Sequence, residues 1–262
     1  MVVAASAAGC GTGSAAQPTT TVRQLRQFRV VFPEGFTRAQ MAARVEAVSK
    51  IAENESHRKV ELSGDGYAAA TARPRRFPGF GPKKLPFEGF LFPDTYDFDR
   101  KSTSAQLVQN QLGEFSSKWD SLDLSYARSK NLTPYDVLTI ASMVEGEAQV
   151  PSERPLVAAV IYNRLHARMP LGIDATLRYG LHIPPTESLT QSDLHNPTPY
   201  NTRLHDGLPP TPINNPGMAA LEAAAHPAHV DYLYFVRKPD HRHHYFTTNY
   251  QDFLQHEAQY GY

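Results

Sequence analysis

The chain has 262 residues and balances 26 Lys+Arg against 26 Asp+Glu, so it carries no formal net charge. That length can bury a full core, either as one large domain or as a domain with an appendage. The charge balance excludes nucleic-acid binding driven by an overall field, and 41% hydrophobic with 20% charged residues excludes a disordered chain. A single cysteine, Cys10, excludes an internal disulfide framework and any multi-cysteine zinc site.

Residues 1–22 hold no charge and are mostly Ala, Gly, Ser and Thr, which predicts a disordered leader. Neither a basic signal-peptide start nor the roughly 18 consecutive apolar residues of a membrane span is present. Residues 23–62 form a small unit. Phe28 to Phe32 is rich in aromatic and β-branched residues, as a strand is. Pro33-Glu34-Gly35 is a turn, and Thr37 can cap a helix to about Ser49 with Met41, Val45 and Val48 at helical spacing. Residues 63–84 read as an irregular basic linker, broken by Pro and Gly, in which Arg73, Arg75, Arg76, Lys83 and Lys84 stand with no acid between them.

From about 85 to 262 the pattern is that of a mixed helix-and-strand domain. Ser104 opens a helix striped by Val108, Leu112, Phe115 and Trp119. Thr133-Pro134 is a cap followed by proline at the first helical position, opening a helix with Val137, Ile140, Ala141 and Val144 on one face. A third helix, capped by Ser152, uses Leu156, Val160, Ile161 and Leu165. A fourth begins at Pro216 and must stop before Pro227. Asp231 to Val236 and His244 to Thr248 read as two strands around a Lys-Pro-Asp turn. Residues 170–215, dense in proline, read as mostly loop, and a loop of that length in a compact region is usually functional. The fold class is α+β.

Motifs narrow the chemistry. No Gly-x-Ser-x-Gly elbow and no phosphate-cradling glycine loop occurs. His226, His229, His241, His243 and His244 crowd late in the chain without the His-Glu-x-x-His spacing of a helical zinc site. The carboxylates say more. Glu145 and Glu147 end the second of these helices among apolar neighbours, about 200° apart on its wheel. The wheel predicts two half-buried acids, either of which could stay protonated near neutrality and serve as a general acid, and it does not choose between them. Pairing with Arg154 or Arg164, or simply facing water near the helix end, is the structural alternative for each.

The residues in their order resemble a known family. Glu88-Gly-Phe-Leu-Phe-Pro-Asp-Thr-Tyr96, Ile140-Ala-Ser-Met-Val-Glu-Gly-Glu147, Ser152-Glu-Arg154 and Val160-Ile-Tyr-Asn-Arg-Leu165 open the likeness. Leu171-Gly-Ile-Asp-Ala-Thr-Leu-Arg-Tyr-Gly180, Pro199-Tyr-Asn-Thr202, Ile213-Asn-Asn-Pro-Gly217, Tyr232-Leu-Tyr-Phe-Val236 and His244-Tyr-Phe-Thr-Thr-Asn249 continue it. Together they resemble the endolytic murein transglycosylases of the YceG-like family over about 85–256. The resemblance implies lytic cleavage of the β-1,4 bond between N-acetylmuramic acid and N-acetylglucosamine, leaving 1,6-anhydro ends. It implies Glu147 as the catalytic acid, with Glu145 in support. It also implies a polar lining of Asn163, Asp174, Thr176, Tyr200, Asn201, Thr202, His226, His244 and Asn249.

The same resemblance makes the 28–49 strand–turn–helix part of a LysM-like region, and makes peptidoglycan glycan strands the partner, with cell-wall synthases nearby. It expects no nucleic acid, no metal and no cofactor. It places the enzyme on the extracytoplasmic face of a bacterial membrane, with the family's anchoring span absent from this sequence. Two other readings stay open on the residues: a non-catalytic glycan-binding scaffold of the same fold, and a metal-dependent hydrolase using the late histidines.

Overall fold

The computed structural model describes residues 26–261, so the expected disordered leader at 1–22 lies outside the described residues. Strand β1 (Phe28–Val31) turns at Pro33–Gly35 into α1 (Arg38–Ser56), followed by α2 (Gly64–Ala70) and β2 (Thr95–Phe98). The two strands pair antiparallel, with Phe28 opposite Phe98 and Val31 opposite Thr95. Alternation aims Val30 and Phe32 inward from one strand and Tyr96 and Phe98 from the other. Thr37 and Gln40 form a capping box at the start of α1, satisfying two of its free backbone donors. The helix runs to Ser56 rather than about Ser49, because Ser49 and Ala52 continue its buried stripe with side chains too small to register as a hydrophobic repeat.

The 63–84 segment departs from the irregular basic linker expected. Ser63 caps α2 by accepting the Gly66 N–H, and Tyr67 is fully buried. Beyond it, Arg75 and Leu85 pair across a short antiparallel bridge. Phe77 stacks on Phe90 at 3.7 Å and Phe80 sits edge-on to the same ring, in a cluster with Phe115 and Trp119. The cations face water while the aromatic residues between them anchor the segment.

The remaining elements are α3 (Ser104–Trp119), α4 (Ser125–Ser129), α5 (Pro134–Glu147), a 3₁₀ turn at Pro151–Glu153, α6 (Arg154–Ala167), α7 (Asp174–Leu181), α8 (Gln191–Leu194), α9 (Met218–Ala225), the antiparallel pair β3 (Tyr234–Arg237) and β4 (His244–Thr247), and α10 (Tyr250–Tyr260). Two small sheets among many helices make the fold α+β. Helix α5 is its axis. Every residue from Val137 to Val144 is buried, and α6, α7 and α9 pack around it. Its two buried hydroxyls bond within the helix, Thr139 to the Tyr135 carbonyl at 2.8 Å and Ser142 to the Thr139 carbonyl at 2.7 Å, so their burial leaves no orphan donor.

Two further expectations are corrected. Ser152 does not cap α6: it lies inside the 3₁₀ turn, which runs straight into that helix, and Glu153 before α6 is itself helical in conformation rather than extended as an N-cap is. The 170–215 stretch is not mostly loop at its start, because α7 forms there with no side-chain cap of its own. Among the described residues no helix is long and apolar enough to cross a membrane.

The turn before α1 docks on the rest of the fold. Gly35 donates its N–H to the Asn215 carbonyl and Asn215 returns one to the Phe36 carbonyl, both at 3.0 Å.

Candidate active site

Helix α5 ends at Glu147, where Ala148 leaves the helical conformation. The start of α7 comes up against that end. Gly146 makes the approach possible, since a Cβ there would stand 3.0 Å from the Ala175 Cβ. The approach is fixed by groups outside α7 together with the Thr176 hydroxyl within it. The Ile173 N–H donates to Thr202 Oγ1 at 3.0 Å, the Thr176 hydroxyl donates to the Ile173 carbonyl at 2.6 Å, and the two hydroxyls lie 3.1 Å apart. Arg164 of α6 donates to the Leu171 carbonyl at 2.7 Å. The result is a helix N-terminus aimed at a carboxyl: the Ala175 N–H meets Glu147 Oε1 at 3.1 Å.

Glu147 is buried, and burial pushes its carboxyl above the ordinary range. The negative charge of Asp174 adds to that rise. The Ala175 N–H and the charges of Arg237 and Arg203 oppose it. No cation stands within ion-pair distance of Glu147 among the described residues, and Arg203 is engaged by Asp174. The shift favours the protonated form, while the Ala175 N–H and the two arginine charges favour the carboxylate.

Glu145 is raised too, again by burial first and then by Glu34, but it is answered by a cation. Its Oε1 lies 3.5 Å from Arg154 Nη2, and its Oε2 accepts the Gly217 N–H at 3.1 Å, tying α5 to α6 and to the start of α9. Glu34 approaches the same arginine at 3.8 Å.

The other expected site residues divide. Asp174, Thr176 and Thr202 gather with Glu147 at the start of α7, the two threonines as buried anchors of that turn. Asn201 is buried beside them, donating to the Leu194 and Asn196 carbonyls and accepting the Arg203 N–H. Tyr200 packs edge-on to Tyr179 of α7 at 5.1 Å, with its hydroxyl 2.8 Å from that of Thr211. Asn163 spends its amide on the Val230 and Tyr232 carbonyls, pinning the approach to β3. His244 is buried between Phe235 and Phe246, with Nδ1 2.8 Å from Glu153 Oε2 and its backbone N–H on the same carboxylate. Burial holds its imidazole below the usual range.

Two residues have other placements. Asn249 caps α10, accepting the Gln251 and Asp252 N–H groups. His226 is exposed at the end of α9, over a groove it shares with Arg154 and Met218. The late histidines do not converge: His243 engages Asp240 while His244 engages Glu153, and among the described residues no three metal-ligating side chains gather.

Sequence reasoning gave no role to Glu88, Asn215, Tyr179, Glu153 or Arg237. The signal for Glu88 was present: an acid set among Phe87, Phe90 and Phe92 is either exposed by a kink or buried with partners, and here it is buried.

Comparison with known proteins shows the family. The sequence profile of the YceG-like family matches residues 12–259. A protein of Bacillus subtilis (strain 168) named endolytic murein transglycosylase is 38% identical over 157 residues, covering 59% of this chain and 43% of that protein. One of the same name from Streptococcus pneumoniae (strain ATCC BAA-255 / R6) is 35% identical over 170 residues, covering 63% of this chain and 30% of that one. The chain thus spans less than half the length of these curated relatives. The crystal structure of a yceG-like protein from Listeria monocytogenes superposes with a TM-score of 0.67 at 28% identity, over 87% of this chain and 75% of that one. With a profile match running almost end to end and a solved relative of the same architecture, the chain belongs to the YceG-like family.

Proposed function

We propose that this chain is an endolytic peptidoglycan lytic transglycosylase, cutting the β-1,4 bond between N-acetylmuramic acid and N-acetylglucosamine with Glu147 as acid and then base. The observation that carries the reading is the isolation of Glu147: a buried carboxyl with one backbone N–H and no ion-pair partner among the described residues. The names of the B. subtilis and S. pneumoniae relatives support the reaction class.

The chemistry needs one such group. Protonated Glu147 gives its proton to the glycosidic oxygen as that bond breaks and positive charge builds at C1 of the muramic acid. The N-acetylglucosamine leaves with a free 4-hydroxyl. The carboxylate left behind is steadied by the Ala175 N–H and by Arg237 and Arg203. It takes the proton of the C6 hydroxyl as that oxygen closes on C1, giving the 1,6-anhydro ring and restoring the acid. No water and no second carboxylate is consumed, unlike the usual glycosidase pair. Glu145 holds the end of α5 in place. Polymeric glycan places the site of action outside the cytoplasm, beside the synthases that make the strands. The antiparallel β1–β2 pair with α1 and α2 would serve as the LysM-like glycan support.

Digestion of purified glycan strands followed by mass spectrometry tests this. Products one water lighter than hydrolytic ones are expected, and reducing ends instead would sink the lytic mechanism.

A further inference from the structure

Glu88 takes no part in the proposed cut, yet its buried carboxylate is bonded on three sides. Oε1 accepts the Arg38 N–H and an Asn215 amide hydrogen, both at 2.8 Å, and Oε2 accepts the Tyr179 hydroxyl at 3.0 Å. These partners come from the first turn of α1, the loop before α9, and α7. Asn215 is itself saturated, with Oδ1 accepting the Gly89 and Leu91 N–H groups at 2.9 Å and Nδ2 also reaching the Phe36 carbonyl. Helix α7 is only eight residues long. Its first turn supplies the N–H that meets Glu147, and Tyr179 lies one turn further along from Ala175. A rod this short cannot be moved at one end and left in place at the other.

We infer that Glu88 is a positioning residue for Glu147: through Tyr179 it sets the pose of α7, and through Arg38 and Asn215 it makes that pose depend on the seated β1–α1 turn. The inference rests on the reading of Glu147 as the acid. The groups facing Glu88 are Arg38 from α1, Tyr67 from α2, Tyr135 from α5 and Tyr179 from α7. Those facing Glu147 are Asp174 from α7, Arg203, and Arg237 from β3. Burial and the Asp174 charge, the two larger influences that raise Glu147, both depend on the seated α7 and outweigh the Ala175 N–H, so loosening α7 lets that carboxyl fall. Because the cut begins from protonated Glu147, the alkaline limb of the rate profile then moves to lower pH.

The test is the pH profile of anhydro-end formation by Tyr179→Phe, Glu88→Ala and Glu88→Gln on purified glycan strands. Tyr179→Phe removes a single hydroxyl. It is expected to move the alkaline limb to lower pH and lower kcat roughly tenfold at near-constant KM. Glu88→Ala should do the same. Glu88→Gln keeps an oxygen for Arg38 and Asn215 and offers an N–H to the Tyr179 oxygen, so its limb should stay near wild type. A merely structural role would scale the profile without moving it. A folded Tyr179→Phe with an unmoved limb overturns the inference, whether or not Glu88→Ala folds. If Glu147→Gln still cuts, the reading beneath it fails instead.

Discussion

Glu145 and Glu147 stand one glycine apart at the end of α5 and face different regions of the molecule. Glu145 turns towards α6 and α9, where Arg154 and the Gly217 N–H answer its charge. Glu147 turns towards α7, where one N–H and two more distant arginines face it. Burial raises both carboxyls, so a shifted pKa does not tell them apart. The partners do. A buried acid with a close cation is built to stay charged and hold helices together, whereas a buried acid without one is free to trade a proton.

The contrast can be broken from either side. Glu145→Ala leaves Arg154 with only the half-exposed Glu34 at 3.8 Å and the Gly217 N–H unpaired. The expected cost is about 3 kcal/mol in urea unfolding, with cutting per folded molecule largely kept. If stability is unchanged, the Arg154 cluster does not fasten α5 to α6 and α9.

Glu88 offers a third environment, a buried carboxyl hydrogen-bonded by neutral donors with the Arg38 charge acting on it from outside ion-pair range, and burial pushes it up to about 7 from an ordinary 4.5. Its folded form binds the proton more tightly than the unfolded chain does. Its contribution is therefore full below pH 4.5 and is lost as pH rises through about 7. Between about pH 5 and pH 8 wild type should lose about 2 kcal/mol more stability than Glu88→Gln. Parallel curves for the two proteins would mean that Glu88 ionises normally.

The smallest effect probes the rim of the Glu145 cluster. A Cβ at Gly217 would fall 1.8 Å from Glu34 Oε1, so Gly217→Ala must push that side chain off Arg154. About 1 kcal/mol is expected, and the cost should disappear in a Glu34→Ala background. A full cost in both backgrounds would place the clash in the backbone instead.

Much of the frame was legible in the sequence because it is locally encoded. Thr37 and Thr133-Pro134 mark helix starts by capping chemistry that needs no tertiary contact. The strands Tyr234–Arg237 and His244–Thr247 sit where their aromatic runs predict. Helix α7 was not legible, since its start is held by Thr202 and Arg164 from elsewhere in the chain. The extent of the β1–β2 pair was hidden for the same reason: its second strand lies beyond the aromatic-anchored basic segment. At the site, the helical wheel could place two acids but not separate them. Their difference is made by Arg154 and Gly217 on one side and Ala175 on the other. Asn163, Asn201, Thr176 and Thr202 lie where polar residues were expected to line a site, and in this structure their hydrogen bonds are spent on anchoring loops.

The most direct measurement compares Glu147→Gln with Glu145→Gln on the same glycan strands, following anhydro-muramic ends by mass spectrometry and folding by thermal melts. If Glu147 is the acid, its glutamine variant keeps the wild-type melt and loses the anhydro ends by a factor of roughly a hundred or more. Glu145→Gln melts earlier and still cuts. The reverse pattern, with cutting lost at Glu145 and kept at Glu147, would contradict the assignment of the two acids.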